Sequence, residues 1–243
     1  MKKNSVKKVA LGMYIEQMKW SVWFISILMI IYVALGFLGR YYNFEATNNI
    51  LVFSAGSSII YMFVIGIIAG ATFLPQMLKL GVTRKHCFYG TVVSAICLSV
   101  TLPLIFSIFS VIEYLISNIF NFGVDNSVII NFPISFILYI FNSFVAYLLG
   151  WLINVGYVRF HWIVGLLFIA LAIGLNTVYA FIWKSNIVAL YSVNISIVET
   201  NITAYPPALD SSFLSSTLGT LGIILVILLI IRTLTRNISI KIN

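Results

Sequence analysis

Residues 162–183 read WIVGLLFIALAIGLNTVYAFIW, a run without a single charged side chain. A helix needs about 20 consecutive, mostly apolar residues to cross the hydrocarbon core of a bilayer. Five other stretches have the same character, so the predicted spans are residues 20–38, 51–74, 90–117, 132–154, 162–183 and 213–234. Lipid offers no hydrogen-bond partners to a backbone, so each span is expected to be an α-helix.

The composition of the whole chain agrees with this interpretation. Hydrophobic residues make up 61% of the 243 residues and charged residues only 8%. A soluble domain carries about 25% charged residues, so most of this surface must face something other than water. The apolar runs are continuous, whereas the strands of a membrane barrel alternate over about 10 residues. The sequence therefore predicts an all-α integral membrane protein, with residues 1–243 forming a single transmembrane domain.

The basic residues predict the orientation of the spans. Twelve of the 14 lysines and arginines fall on one side if the amino terminus is placed inside, and only Arg40 and Lys184 fall outside. Four of the six acidic residues also fall outside, namely Glu45, Asp125, Glu199 and Asp210. Cations are retained on the cytoplasmic side of membrane proteins. Both termini are therefore expected in the cytoplasm, and the net charge of +8 reflects topology rather than nucleic-acid binding.

Two segments between and before the spans have their own character. Residues 7–19, KKVALGMYIEQMK, place apolar side chains on one side between flanking lysines. This pattern predicts an amphipathic helix in the inner membrane interface; the alternative is a frayed tail that only anchors the first span. Residues 184–212 form a long predicted outer segment with alternating apolar and polar residues near its middle.

The segment between the second and third spans is the most informative about function. It reads PQMLKLGVTRKHCFYG over residues 75–90. Gly81 permits a tight turn, and Thr83 is a good N-cap for a following helix. A short helix and turn with apolar side chains beside cations could dock a soluble partner, while the alternative is an ordinary basic loop.

The same segment resembles the cytoplasmic turn of ABC-2-type transporter permeases of bacteria. In that family a hydrophobic residue, a glycine, a small or β-branched residue, Ser/Thr-Arg-Lys and an aromatic connect the second and third spans. The matching residues here are Leu80, Gly81, Val82, Thr83, Arg84, Lys85 and Phe88. The six-span layout agrees, and the small size and lysine-rich start are similar to permeases of Gram-positive peptide exporters. That group includes phenol-soluble-modulin exporters and lantibiotic-immunity permeases.

The resemblance implies a division of labour between subunits. Residues 75–89 would form a cytoplasmic coupling helix that docks on a separate ATPase subunit, and Arg159 would lie in a second, shorter contact. The chain has no G-x-x-x-x-G-K-[ST] loop, so ATP and magnesium would be bound by the partner. The resemblance implies two ATPase copies and a second permease, either a copy of this chain or a paralogue. The chain itself is expected to hold no cofactor and no catalytic residue.

Polar residues and glycines inside the predicted spans are candidates for other roles. Glu113 near the outer end of the third span could bind a cationic group of a cargo, pair within a dimer, or reach outer water. Asn142 and Asn176 lie deeper in the predicted spans. Each could form interhelical hydrogen bonds or contact a cargo. Gly66 and Gly70 have the spacing that lets helices approach closely, within one subunit or across a dimer.

The leading hypothesis is the membrane-spanning permease of an ATP-driven exporter in the bacterial plasma membrane. Its aromatic, charge-poor spans suit a hydrophobic or amphipathic peptide, or a lipid-like cargo. The alternative is a non-transporting immunity or sensor protein, or a small membrane enzyme without a recognisable motif. His86 and His161 are the only histidines and fall at different turns, so no metal site is expected.

Overall fold

The computed structural model of the chain describes residues 3–42, 49–120, 132–160, 162–183 and 211–236. The described residues form seven α-helices and one π-helical turn. They are α1 (Lys3–Tyr42), α2 (Ile50–Ile68), the π-helical turn Ala69–Phe73, α3 (Leu74–Lys79), α4 (Arg84–Phe120), α5 (Phe132–Arg159), α6 (Trp162–Trp183) and α7 (Ser211–Arg236). Most of the predicted outer segment, residues 184–210, lies outside these ranges.

Six of the helices are long and apolar enough to cross a membrane, which makes this a multi-pass membrane protein. Five predicted spans each lie on one helix, and residues 162–183 coincide with α6. The second span, residues 51–74, runs through α2 and the π-helical turn to the first residue of α3. The described residues include no β-strand. The prediction of an all-α fold with six spans is therefore confirmed. At about 1.5 Å per residue, the 40-residue α1 and the 37-residue α4 are each longer than a bilayer is thick.

Helix α5 is at the centre of the bundle. In its most apolar stretch 78% of the residues are buried by the rest of the chain, against 17% for α1 and for α6. Its largest contact is with α2. Ser58 of α2 lies opposite Tyr139 of α5, and Gly66 lies opposite Tyr147, so the two helices run parallel.

Helices α1 and α4 form a second parallel pair. Val9 of α1 packs against Gly90 of α4, and Tyr32 contacts Glu113 about 23 residues further along both helices. Lys7, Lys8 and Lys19 of α1 are exposed. The inner face repeats every four residues and buries Val9, Met13, Gln17 and Ser21.

This packing determines what becomes of the predicted interfacial helix. Residues 7–19 are helical, but they are the first turns of α1 and continue into the span without a break. A separate interfacial helix is therefore not seen. The physical reason is the buried inner face, because Met13 and Gln17 are held against α4 and keep this part of α1 in line with the span.

Candidate functional site

The turn between α3 and α4 is closed by backbone hydrogen bonds. The Val82 amide donates to the Met77 carbonyl at 3.0 Å, and the Leu80 amide donates to the Gln76 carbonyl at 3.2 Å. Between them Gly81 has a φ of +76°, a left-handed conformation that side chains with a Cβ disfavour. This is the glycine-terminated helix end known as the Schellman motif. The expected tight turn at Gly81 is present.

Thr83 begins α4 as its N-cap. Its Oγ1 accepts from the His86 amide at 3.4 Å, and its carbonyl accepts from the Cys87 amide at 3.0 Å. The cap satisfies amides that the first turn of a helix leaves without partners. Only four residues therefore separate two helices whose facing ends are both capped, which makes the connection stiff.

On its other side, α3 continues from α2 through the π-helical turn Ala69–Phe73. Pro75 is the second residue of α3 and has no amide hydrogen for the carbonyl four residues earlier, that of Ala71. Such wider turns relieve clashes of this kind without ending the helix. The helical path therefore continues past Pro75 by way of this turn.

The predicted coupling residues divide into two groups. The exposed group consists of Leu80, Gly81, Thr83 and Lys85, and Leu80 is 75% exposed. The inward group packs on other helices and consists of Val82, Arg84, Phe88 and Arg159. The exposed group is the part of the turn that a soluble partner can reach.

Two arginines of the inward group hold the last turn of α7. Arg84 donates from Nη1 to the Arg236 carbonyl at 3.0 Å. Arg159 donates from Nη1 to the carbonyls of Thr233 and Leu234, at 3.2 Å and 3.1 Å. Cations stabilise a helix C-terminus because the last carbonyls have no partners within the helix. The start of α4 and the end of α5 are thereby tied to the last turn of α7.

These contacts define what we call the basic end of the bundle, where α4 begins and α5 and α7 end. Its described arginines are Arg84, Arg159, Arg232 and Arg236. The Arg232 guanidinium carbon lies 5.2 Å from the Phe88 ring centre and 5.8 Å from that of Tyr89. Glu16 and Glu113 are the carboxylates among the described residues, and neither contacts these arginines. The segments predicted to share one side of the membrane therefore do meet at one end.

Glu113 lies at the opposite end and is bound to the start of α2. Its carboxylate accepts from the Tyr32 hydroxyl and, at 3.0 Å, from the Ile50 amide. Asn49 beside it accepts from the Leu51 amide at 2.9 Å and from the Ser110 hydroxyl at 2.8 Å. A carboxylate at a helix N-terminus is stabilised by the helix dipole. Glu113 of α4 is thus hydrogen-bonded to both α1 and α2 and links the three helices. This is a structural role that the sequence did not suggest.

The two candidate asparagines lie on the neighbouring helices α5 and α6. Asn142 is buried on α5, and its Nδ2 donates to the Leu138 carbonyl of its own helix at 3.0 Å. Asn176 is half-buried on α6.

The candidate packing glycines both face α5 within the same chain. A Cβ added to Gly66 would lie 2.1 Å from the Tyr147 carbonyl oxygen, and one added to Gly70 would lie 2.7 Å from Asn154 Oδ1. Gly150 of α5 is equally tight against the Phe63 carbonyl of α2, at 2.1 Å. The sequence left open whether this motif packs within a subunit or across a dimer, and the structure uses it within the subunit.

A buried polar cluster was missed from the sequence. Gln17 donates to the Tyr147 hydroxyl at 2.9 Å and accepts from the Ser94 hydroxyl at 2.9 Å. The Ser21 hydroxyl lies 2.8 Å from that of Tyr61. The signal was present as the four-residue spacing of Met13, Gln17 and Ser21, which places them on one helix face.

No protein-family model, curated protein or solved structure matches this chain. The fold and the contacts described above are therefore the basis on which its function is argued.

Proposed function

We propose that this chain is the membrane-spanning subunit of an ATP-driven exporter, moved by a soluble ATPase that docks on the turn between α3 and α4. The observation that carries the proposal is the structure of this turn. It exposes Leu80 and Lys85 while its Schellman motif and the Thr83 cap keep it stiff. A motor subunit needs a surface that it can grip and that does not deform when pushed.

The contacts of the turn with the bundle support this role. A force on the turn reaches α2 through the π-helical turn and reaches α4 directly, because both helices are continuous with it. Arg84 and Arg159 would carry the same displacement to α7 through its last carbonyls. Packed helices respond to such a push by shifting as units rather than by bending gradually.

The proposed arrangement places the basic end in the cytoplasm of a bacterial cell, as its arginines and lysines favour. Two ATPase subunits would bind ATP and magnesium, and two permeases would face each other, both copies of this chain or one copy with a paralogue. ATP binding can shift the spans only if the closed ATPase pair binds one arrangement of the turns more tightly than the other. The ATPase would make this difference in binding through its contacts with the exposed group at the turn.

The proposed cargo is a hydrophobic or amphipathic peptide, or a lipid-like molecule. Aromatic residues make up 15% of the chain and charged residues 8%, so a path between its spans would offer rings rather than charges. Such a surface favours apolar side chains and disfavours sugars and ions.

Co-purification tests the docking role. The chain would be co-expressed with an ABC ATPase encoded beside its gene and extracted in mild detergent. We expect a stable complex, and we expect Lys79→Gln with Lys85→Gln and Leu80→Ser to reduce the recovered ATPase at least tenfold. Both lysines and Leu80 are exposed, so the substitutions should leave the bundle intact.

A matched control removes the same charge elsewhere. Lys7→Gln with Lys8→Gln changes two exposed lysines of α1 and should leave the complex unchanged. Elution of the wild-type chain without the ATPase, or equal loss in both sets of variants, would contradict the proposal.

A further inference from the structure

Helix α7 carries an apolar stripe that ends on two arginines. Leu225 and Leu229 are more than half exposed, and Arg232 and Arg236 follow at spacings of three and four residues, on the same helix face. Exposed leucines on a membrane helix contact acyl chains, so this stripe runs from the lipid interior to a charged head at the membrane surface.

Helix α4 carries a matching stripe. Tyr89, Val93 and Ile96 are each more than two-fifths exposed and follow one another at spacings of four and three residues. The Arg232 guanidinium lies over the Phe88 and Tyr89 rings and so joins the two helices at this level. The two stripes therefore converge at one place, beneath Arg232.

The charge at this place is not neutralised by carboxylates among the described residues. Glu16 is paired with Lys19 at 2.7 Å, and Glu113 binds the start of α2. Arg84 uses one nitrogen for the Arg236 carbonyl, but a guanidinium carries five N–H donors in a planar fork that fits phosphate. Donors of Arg84, Arg232 and Arg236 thus remain for an anion.

We propose that the seam between α4 and α7 binds one anionic phospholipid, with its phosphodiester on Arg232, Arg236 and Arg84 and its acyl chains along the two stripes. Basic sites between membrane helices bind anionic headgroups in this way. A free phosphate would use the arginines but not the leucines, and an acidic protein would not reach the stripes. The inference does not depend on the proposed ATPase.

The test uses the full chain alone in a neutral detergent, with bound lipid counted by native mass spectrometry. We expect dioleoylphosphatidylglycerol to bind at least tenfold more tightly than dioleoylphosphatidylcholine, which has the same acyl chains. Arg232→Gln with Arg236→Gln should weaken phosphatidylglycerol binding about 25-fold, from about fivefold per arginine near a lipid surface. Circular dichroism would check that the variant stays helical.

The matched control Lys7→Gln with Lys8→Gln removes the same charge from α1 and should change binding less than twofold. Arg232→Lys keeps the charge but loses the planar fork, and should still weaken binding severalfold. This milder variant serves if the double variant does not fold.

Four results would overturn the inference. The first is equal binding of the two lipids by the wild-type chain, and the second is an equal effect of the lysine control. The third is displacement of phosphatidylglycerol by equimolar inorganic phosphate, which would assign the arginines to a free anion. If lipid binding is unchanged while Arg232→Gln with Arg236→Gln loses the ATPase, the surface belongs to a soluble partner and the lipid proposal is wrong.

Discussion

The two parallel helix pairs, α2 with α5 and α1 with α4, both have hydrogen bonds between side chains but differ in how closely their backbones approach. The first pair brings backbones together at Gly66 and Gly150, each with a carbonyl of the other helix where its Cβ would be. The second pair is joined by side chains, with Gln17 bound to Ser94 at its centre and Glu113 bound to Tyr32 at its far end.

The difference matters because only certain interactions stabilise helix association in lipid. Between membrane helices no hydrophobic driving force operates, so association depends on van der Waals contact and on hydrogen bonds. Close backbone contact has no tolerance for added volume, while a hydrogen-bonded pair can lose one bond and keep its shape. We therefore expect the α2–α5 pair to be the more sensitive to substitution.

The largest effect is expected for Gly66→Ala. The new methyl group would overlap the Tyr147 carbonyl, and the backbone on both sides is helical and cannot move alone. Overpacking of this kind costs typically 1–3 kcal/mol, so we expect a loss of about 3 kcal/mol in the free energy of unfolding. Titration with sodium dodecyl sulfate in mixed micelles would measure it, and Gly150→Ala should behave alike.

Glycines in open surroundings provide the control. Gly36, Gly174 and Gly222 have no atom within 4 Å of an added Cβ. Their alanine variants should be unchanged or more stable by up to about 1 kcal/mol, because alanine favours helix. Equal destabilisation at Gly66 and Gly174 would show that helix packing at Gly66 is not the cause.

Gln17→Leu should have the next largest effect. Leucine is close to glutamine in size, but it would leave the hydroxyls of Tyr147 and Ser94 buried without Gln17 as partner. We expect a loss of about 1.5 kcal/mol, since buried polar groups without partners cost about 1–3 kcal/mol. Adding Tyr147→Phe and Ser94→Ala to the same chain should recover most of it. If the triple variant is less stable than Gln17→Leu alone, the unpartnered hydroxyls are not the cause of the loss.

These two pairs also show which features of the structure can be predicted from the sequence. Hydropathy is a property of each segment alone, so all six spans could be predicted, and residues 162–183 match α6. The turn was predictable too, because Gly81 and Thr83 each act on their immediate neighbours. Features that depend only on residues adjacent in the sequence can therefore be predicted from it.

Partners across helices could not be predicted in the same way. Gln17 looks like a polar residue of an amphipathic surface until Ser94 and Tyr147 are placed opposite it. Arg84 and Arg159 look like free cations until the last carbonyls of α7 lie beside them. In each case the deciding contact spans more than 70 residues of sequence.

Glu113→Gln tests the far end of the α1–α4 pair. The amide can still accept one bond but loses the charge that the α2 N-terminus stabilises, so we expect a loss of about 1 kcal/mol. Glu16→Gln is the matched control, because Glu16 is half exposed and paired only with Lys19. Exposed pairs contribute at most about 1 kcal/mol and often nothing, so the control should show a smaller loss in the same titration. An equal loss in both variants would remove the special role of Glu113.

The smallest effect is expected for Tyr14→Phe, which removes one partly buried hydrogen bond of the same pair. The Tyr14 hydroxyl lies 3.0 Å from Thr101 Oγ1, and Thr101 itself donates to the Cys97 carbonyl at 2.7 Å. Thr101 therefore keeps a partner when the tyrosine hydroxyl is lost, unlike Tyr147 and Ser94 when Gln17 is lost. Hydrogen bonds between membrane helices contribute about 0.6 kcal/mol on average, and we expect a loss of that size. A loss as large as that of Gln17→Leu would mean that buried groups left without partners do not set the cost of substitution in the α1–α4 pair.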